Sequence, residues 1–523
     1  MKVMFPLLVL AACLVGCRHV ERTPFDDVVD YYAGRMESAT ATEADTLKFK
    51  AAEYLREHSD CHYGVPRHLA DSLGRRTELD HKAFSSDTLY RRFLDSNGYR
   101  YMNEAAVYDS DTITTDFLIE NIELAFDSWG KPWASDVPFD DFCRYILPHR
   151  VGDEELSAWR RKFKEKYEHT IADSVENTGS IREVALYLMR RLKGDVAYGT
   201  RLGTFYKDLL TPEEMERMHT LECKALAHYG TLALRACGVP CAMIETNWRF
   251  TEVVHNSILI PQTGGNSNAC RLSIYDELQE MGTPKDSMAT WRSWIFDYEP
   301  NPDLVELLRP GEEEAREFAK PVNRTDITPI FSTTHSFSLP VPDGYRAYKY
   351  LFLCRFHEDR WYLIREGKVD GDSVRFKDAT IRQLYRLGVM EDGMVRTFGK
   401  MFSLTGDGRM LHYDSSGDSV RFVLNFDCKP EEAETQKVFN IYKGGDNGDW
   451  ESFPAEGLLW SINEKTGEYR LFDESLRGTF KPVFHQIKVR QPKHTVFTHE
   501  KLPRPIGFLF EDTIANEGHY MAF

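Results

Sequence analysis

Apolar positions recur at intervals of three and four over the first half of the chain, which predicts helices. In "EADTLKFKAAEYLREH", residues 43–58, Leu47, Ala51, Tyr54, Leu55 and His58 share a face. In "TDFLIENIELAFDSW", from residue 115, Phe117, Ile119, Ile122, Leu124, Ala125 and Phe126 keep helical spacing. "FDDFCRYILPHR" follows, with Pro148 ending a helical turn. "DEELSAWRRKFKEKYEHT" predicts a charged helix with few apolar anchors, and "SIREVALYLMRRL" an amphipathic helix capped by Ser180. Residues 220–240, "TLECKALAHYGTLALRACGVP", predict a helix capped by Thr220, with Cys223 at its third position. Its stripe would be Leu221, Ala225, Leu226, Tyr229, Leu232 and Ala233, with Gly238 and Pro240 as the stop.

Near residue 241 the period shortens to two. "CAMIETN" and "VVHNSILI" are short β-rich runs, and "CRLSIYDEL" alternates Leu272 and Ile274 with Ser273 and Tyr275. The turn "QTGGNSNA" joins the last two. Helices followed by strands, without βαβ alternation, predict an α+β unit. Residues 299–326 are charged and punctuated by proline, as a domain boundary would be. Beyond them "YRAYKYLFLCRF", "RWYLIREGKV", "DSVRFKD" and "MFSLTGDGRMLHY" read as strands joined by Asp-Gly and Gly-Asp turns, in an all-β, sandwich-like region. "GLLWSINEKTGEYRLF", from residue 457, predicts a further hairpin.

Composition narrows the picture. A chain of 523 residues is too long for one core, and a net charge of −17 argues against a nucleic-acid surface. The N-terminus changes it more. Lys2 and "VMFPLLVLAACLV" make a short signal segment ending in "LVGC", Leu14 to Cys17, which resembles the lipobox of bacterial lipoproteins. That resemblance implies cleavage after residue 16, acylation of Cys17, and a mature chain anchored to a membrane outside the cytoplasm. The expected place is the bacterial cell envelope, at the outer membrane, facing the periplasm or the surface. The other cysteines, Cys61, Cys143, Cys223, Cys237, Cys241, Cys270, Cys354 and Cys428, are too sparse for a disulfide scaffold apart from the leader's Cys13.

Two clusters could suggest metals. "DCHYGVPRH", with Cys61, His62 and His68, lacks a second ligand pair, so these read as loop residues. "GGDNGD", residues 444–449, lacks the spacing of a calcium loop and reads as a turn. No metal or organic cofactor is expected. Trp361, Tyr362 and Trp450 read as core or cross-strand residues more readily than as a sugar-stacking platform.

Cys223 is the candidate nucleophile. A thiol in the first turn of a helix meets unpaired backbone N–H groups and the positive end of the dipole, which should lower its pKa. His255, inside an otherwise apolar strand, is the candidate base, and Asp276 on the next strand the candidate orienting acid. Glu277 and Asn256 are rivals for that third role. Cys237 and Cys241 read as packed cysteines.

With these residues in place the chain resembles the transglutaminase-like superfamily, whose core is papain-like. "ECKALAHYGTLALRACGVPCAMIE" matches the cysteine helix and the "LR-x-x-G-[IV]-P" exit through Leu234, Arg235, Gly238, Val239 and Pro240, and His255 matches the histidine. "FLIENIELAFDSW", "FDDFCRYILPHR", "LVELL" with "DIT", and "RWYLIREG" are similar to stretches of transglutaminase-like lipoproteins of Bacteroidota. The likeness covers residues 45–415. Two features depart from the family pattern: Ser257 stands where a tryptophan is usual, and Asp276 follows later than the family acid does.

The resulting expectation is an α+β protein with a signal peptide over 1–16 and a helical N-terminal region over 17–110. A transglutaminase-like domain follows over 111–310, a β-sandwich over 325–427 and a C-terminal β region over 428–523. The resemblance implies thiol acyl transfer on a peptide, glycopeptide or isopeptide-type amide of a peptide or protein substrate, hydrolysis being at least as expected as crosslinking. The alternative is a catalytically inert lipoprotein that uses the papain-like core and β modules to bind glycan or protein.

Overall fold

The computed structural model describes residues 22–77, 87–174, 180–199, 210–248, 254–262, 269–274, 279–280, 290–308, 316–357, 360–381, 383, 385–391, 393–413, 422–426, 438–444, 450–459, 506–512 and 517–522. The chain is mixed α+β, with several antiparallel sheets. It divides into two units. One comprises Met1–Ile244, Asn256–Glu280 and Ile295–Thr325, and the other Glu245–His255, Met281–Trp294 and Asp326–Phe523. Among the described residues no helix is long and apolar enough to cross a membrane.

The first unit is built around the helix Cys223–Ala236. Every residue from Ala225 to Ala236 is buried, so this helix is enclosed on all sides, beyond the one-sided stripe its spacing suggested. The helices Thr115–Trp129, Trp159–Ser174 and Ile181–Leu192 pack on it. In the first of these Leu118, Ile122 and Ala125 form the fully buried line, whereas Phe117, Ile119 and Phe126 are half-buried around its rim. The helix expected to have few anchors has four: Trp159, Phe163, Tyr167 and Ile171, spaced by four and all buried. Charged residues between them obscured that line, and one of those charges, Arg160, is itself buried. Ser180 caps its helix as expected, in a capping box with Glu183.

The N-terminal region is not wholly helical. Arg67–Ala70 pairs antiparallel with Arg76–Thr77 and Arg100–Asn103. Asp71 makes the first hairpin, its Oδ1 accepting from the N–H groups of Leu73 and Arg75 at 2.9 Å each. His62, taken for a loop residue, is buried and stacked on Tyr298 with ring centroids 4.0 Å apart. Its Nε2 lies 2.9 Å from the Tyr298 carbonyl oxygen.

A six-stranded sheet runs in the order Gln279–Glu280, Cys270–Leu272, Val254–Ile260, Ala242–Trp248, Thr290–Phe296, Arg324–Asp326. Cys270 pairs with Ile260 and Leu272 with Ile258, antiparallel. The strand Thr290–Phe296 escapes sequence reading because Arg292 interrupts its apolar run. The guanidinium is buried there between carboxylates, 2.9 Å from Asp326 and 2.8 Å from Glu366.

In the second unit a seven-stranded antiparallel sheet has the order Thr334–Pro340, Ser373–Thr380, Arg360–Asp370, Tyr350–His357, Tyr385–Glu391, Met394–Leu404, Met410–Tyr413. Leu351, Leu353, Ile364, Val374, Phe376 and Phe402 lie in its core. Gly388 lets strands close up: a Cβ there would sit 2.5 Å from the Cys354 sulfur. A five-stranded antiparallel sheet follows, from Phe422–Phe426 to Glu517–Ala522.

Candidate functional site

Cys223 is the first residue of its helix, not the third. Glu222, in extended backbone, is the N-cap, and Thr220–Leu221 is a short strand paired in parallel with Ala197–Tyr198. The backbone N–H of Gly199 donates to Leu221 O at 2.9 Å. A Cβ on Gly199 would meet Thr220 Cγ2 at 2.3 Å, so glycine permits that approach. Glu222 makes no side-chain cap.

The far end of the helix is closed. Gly238 takes φ +78°, Val239 N–H donates to Leu234 O at 3.0 Å and Gly238 N–H to Arg235 O at 3.1 Å, a Schellman stop. Ser128 Oγ donates to Ala236 O at 2.7 Å and Trp133 Nε1 to Cys237 O at 2.8 Å. Arg235 donates from Nε to Cys241 O and from an Nη to Arg150 O, at 3.1 and 3.0 Å. The "LRACGVP" residues therefore build the helix exit.

The strand Val254–Ile260 reaches the helix through Gly230, where a Cβ would meet Ile258 Cδ1 at 2.6 Å. Alternation puts Asn256 on the same face as Ile258, two residues closer to the start of the strand. There Asn256 meets Cys223: its backbone N–H and its side-chain amide both donate to the sulfur, as does the backbone of Lys224. Asn256 is 4% exposed, and its Oδ1 has no hydrogen-bond partner. Ser257, at the position where the family tryptophan was expected, is 1% exposed with an unpartnered Oγ.

The electrostatics overturn one expectation. Burial pushes the Cys223 thiol up, the three donors oppose that, and the neighbouring Glu222 carboxylate adds to the rise. The net direction is upward, not toward neutrality, because removing a thiolate from water outweighs what the helix start offers. Glu222 is also raised, by its own burial. Cys223 is nevertheless set apart from most of the other described cysteines. Cys143, Cys237, Cys241, Cys270 and Cys354 are buried, and only Cys61 shares its intermediate exposure among the described residues. Cys61 is held by Asn323, whose Nδ2 lies 3.2 Å from its sulfur.

The described residues thus bring Cys223 and Asn256 together. His255 is half-buried, one residue earlier on the strand. Asp276 and its rival Glu277 lie outside the described residues, as does Cys17. Asn256 was legible only as a rival third member; its contact with sulfur depends on which strand face the helix meets, which the Gly230–Ile258 fit decides. Among the described residues no cluster of three or more His, Cys, Asp or Glu side chains could hold a metal. No known protein family, curated protein or solved structure matches the chain.

Proposed function

We propose that this chain is a thiol acyl-transfer enzyme with a papain-like, transglutaminase-like core and a sandwich-like C-terminal region, anchored through a lipid on Cys17 in the bacterial cell envelope. Cys223 is the nucleophile, His255 the proton carrier and Asp276 the acid that orients it. The observation that carries the reading is a half-exposed thiol at the start of an enclosed helix, facing N–H donors from Lys224 and Asn256. The substrate is a peptide, glycopeptide or isopeptide-type amide.

Because burial holds the thiol protonated, attack and proton loss are coupled. Sulfur forms its bond to the carbonyl carbon, the carbonyl π electrons move to oxygen, and the thiol proton passes to His255. Collapse of the intermediate expels the amine, which takes that proton. Water then adds to the thioester and releases acid and thiol.

The raised thiol also favours a second reading, an inert lipoprotein that binds glycan or protein through the same core. p-Nitrophenyl acetate separates the two. The enzyme releases a burst of about one p-nitrophenolate per chain, absent in Cys223→Ala and slowed roughly 100-fold in His255→Ala. A rate no faster than free cysteine and indifferent to His255 overturns the enzymatic reading.

A further inference from the structure

We propose that His219 is a positioning residue for Cys223: its strained turn, tied to the backbone of Asp195 and Ala197, holds the strand that delivers the sulfur to its helix. The inference rests on Cys223 being the reacting group, and it names a residue that acts on the nucleophile through the backbone.

His219 closes the helix Pro212–Met218 with φ +63° and ψ −42°. Glycine takes positive φ freely, whereas an L side chain adopts this state only under strain. Three hydrogen bonds hold it. His219 N–H donates to Met215 O at 2.9 Å, Ala197 N–H donates to His219 O at 2.6 Å, and the imidazole Nδ1 donates to Asp195 O at 2.7 Å. A carbonyl oxygen can only accept, which places a proton on Nδ1. Asp195 is itself fixed, its N–H donating to Leu192 O at 3.0 Å and its carboxylate paired with Lys166 at 2.9 Å. The turn is thereby anchored to the helices Ile181–Leu192 and Trp159–Ser174, which pack on the cysteine helix. The imidazole is exposed, and a hydrogen bond made beside water adds little net stability. What the bond fixes is position. Two residues on, Gly199 N–H donates to Leu221 O at 2.9 Å, and two residues beyond that the helix begins at Cys223. Before the turn, Glu216 accepts from the Tyr229 hydroxyl of the same helix at 2.8 Å, so the approach to the nucleophile is tied on both sides of His219. A misplacement of about 1 Å can slow a positioned reaction roughly 100-fold, which is reason enough to keep a strained side chain where glycine would fit.

The test compares, on the full chain, a reaction that needs an oriented sulfur with one that does not. Acylation of Cys223 is read from the p-nitrophenyl acetate burst, and alkylation by iodoacetamide from mass spectrometry of the Cys223 peptide. His219→Gly keeps the backbone angle, relieves the strain and removes the imidazole. Its burst rate should fall roughly tenfold with an amplitude still about one per chain, while alkylation changes by less than about twofold. The urea midpoint should hold, because relieved strain offsets the lost hydrogen bond. His219→Asn, which tolerates positive φ and keeps an N–H donor, should regain most of the lost rate. An unchanged burst rate in His219→Gly overturns the inference, as does an equal loss of acylation and alkylation. A lower urea midpoint that carries both rates down, or a His219→Asn chain no faster than His219→Gly, overturns it too. Each of these leaves the proposed function standing; a wild-type chain without a burst overturns the function itself, and this inference with it.

Discussion

The two ends of the helix Cys223–Ala236 are built on opposite terms. At the C-terminal end the carbonyls of Leu234, Arg235, Ala236 and Cys237 all accept hydrogen bonds, and the turn is locked by a glycine with positive φ. At the N-terminal end the N-cap side chain makes no cap bond, burial raises the thiol's pKa, and Asn256 and Ser257 keep unpartnered oxygens. One end is closed by the protein's own hydrogen bonds; at the other, two buried side-chain oxygens have none. Polar atoms left unmade at a cost of about 1–3 kcal/mol each are tolerated where they serve an incoming group.

The sharpest way to break the closed end is Gly238→Ala. A Cβ there would lie 2.4 Å from Ser128 O, and the positive φ disfavours any L side chain. The expected loss is about 3 kcal/mol or more, seen as a lower urea midpoint with an unchanged slope. Acid should act on the same end with similar size. Arg235 is tied through the Arg150 backbone to a guanidinium that grips Asp109, which in turn bonds His149 at 2.8 Å. Beside it, burial drives His62 down to about 3, and His149 is lowered for the same reason. Both rings are neutral in the fold and take a proton near 6.5 when unfolded, so stability is whole above pH 6.5 and drains away as pH falls toward 3. A drop on the order of 3 kcal/mol between pH 7.5 and 4 is expected by urea titration. His62→Phe keeps the stack on Tyr298 and should flatten the upper part of that drop; an unchanged slope between pH 6.5 and 5 would remove His62 from the account.

Arg235→Met is next in size. It strips the Cys241 and Arg150 carbonyls of a donor but also removes a cation whose pKa burial has lowered, so about 2 kcal/mol is expected by urea midpoint. A neutral result would mean that the helix exit owes its shape to Gly238 alone.

How much of this was legible follows the same division. The closed end was readable because its requirements are local: a glycine at a helix stop and apolar residues at helical spacing belong to one short stretch. The α+β order was readable for the same reason, from a period that shortens from helical spacing to two near residue 241. The open end was not, because its character depends on residues distant in sequence. Thr220 looked like a cap until its strand pairing with Ala197 moved the helix start to Cys223. The thiol looked activated because spacing reports a helix dipole but not burial, and burial wins. Trp159, Phe163, Tyr167 and Ile171 were hidden among charges, and Arg292 looked unfit for a buried strand until its carboxylate partners, 34 and 74 residues away, are known.

The smallest expected effect on stability is the most informative about the open end. Asn256→Leu removes an amide that donates to the sulfur but also removes an oxygen that nothing satisfies. If Asn256 were a structural residue, losing it should cost as much as Arg235→Met does. If it is held in readiness for a ligand, the loss of its bond to sulfur and the relief of its orphaned oxygen nearly cancel, and the urea midpoint should move by less than about 0.5 kcal/mol. The thiol should respond in the same variant: with one donor gone its pKa rises further, so the pH profile of iodoacetamide labelling moves to higher pH. Stability held while reactivity shifts would show that this end of the helix was built to bind. Stability lost with the labelling profile unmoved would make Asn256 part of the packing, and the contrast between the two ends would disappear.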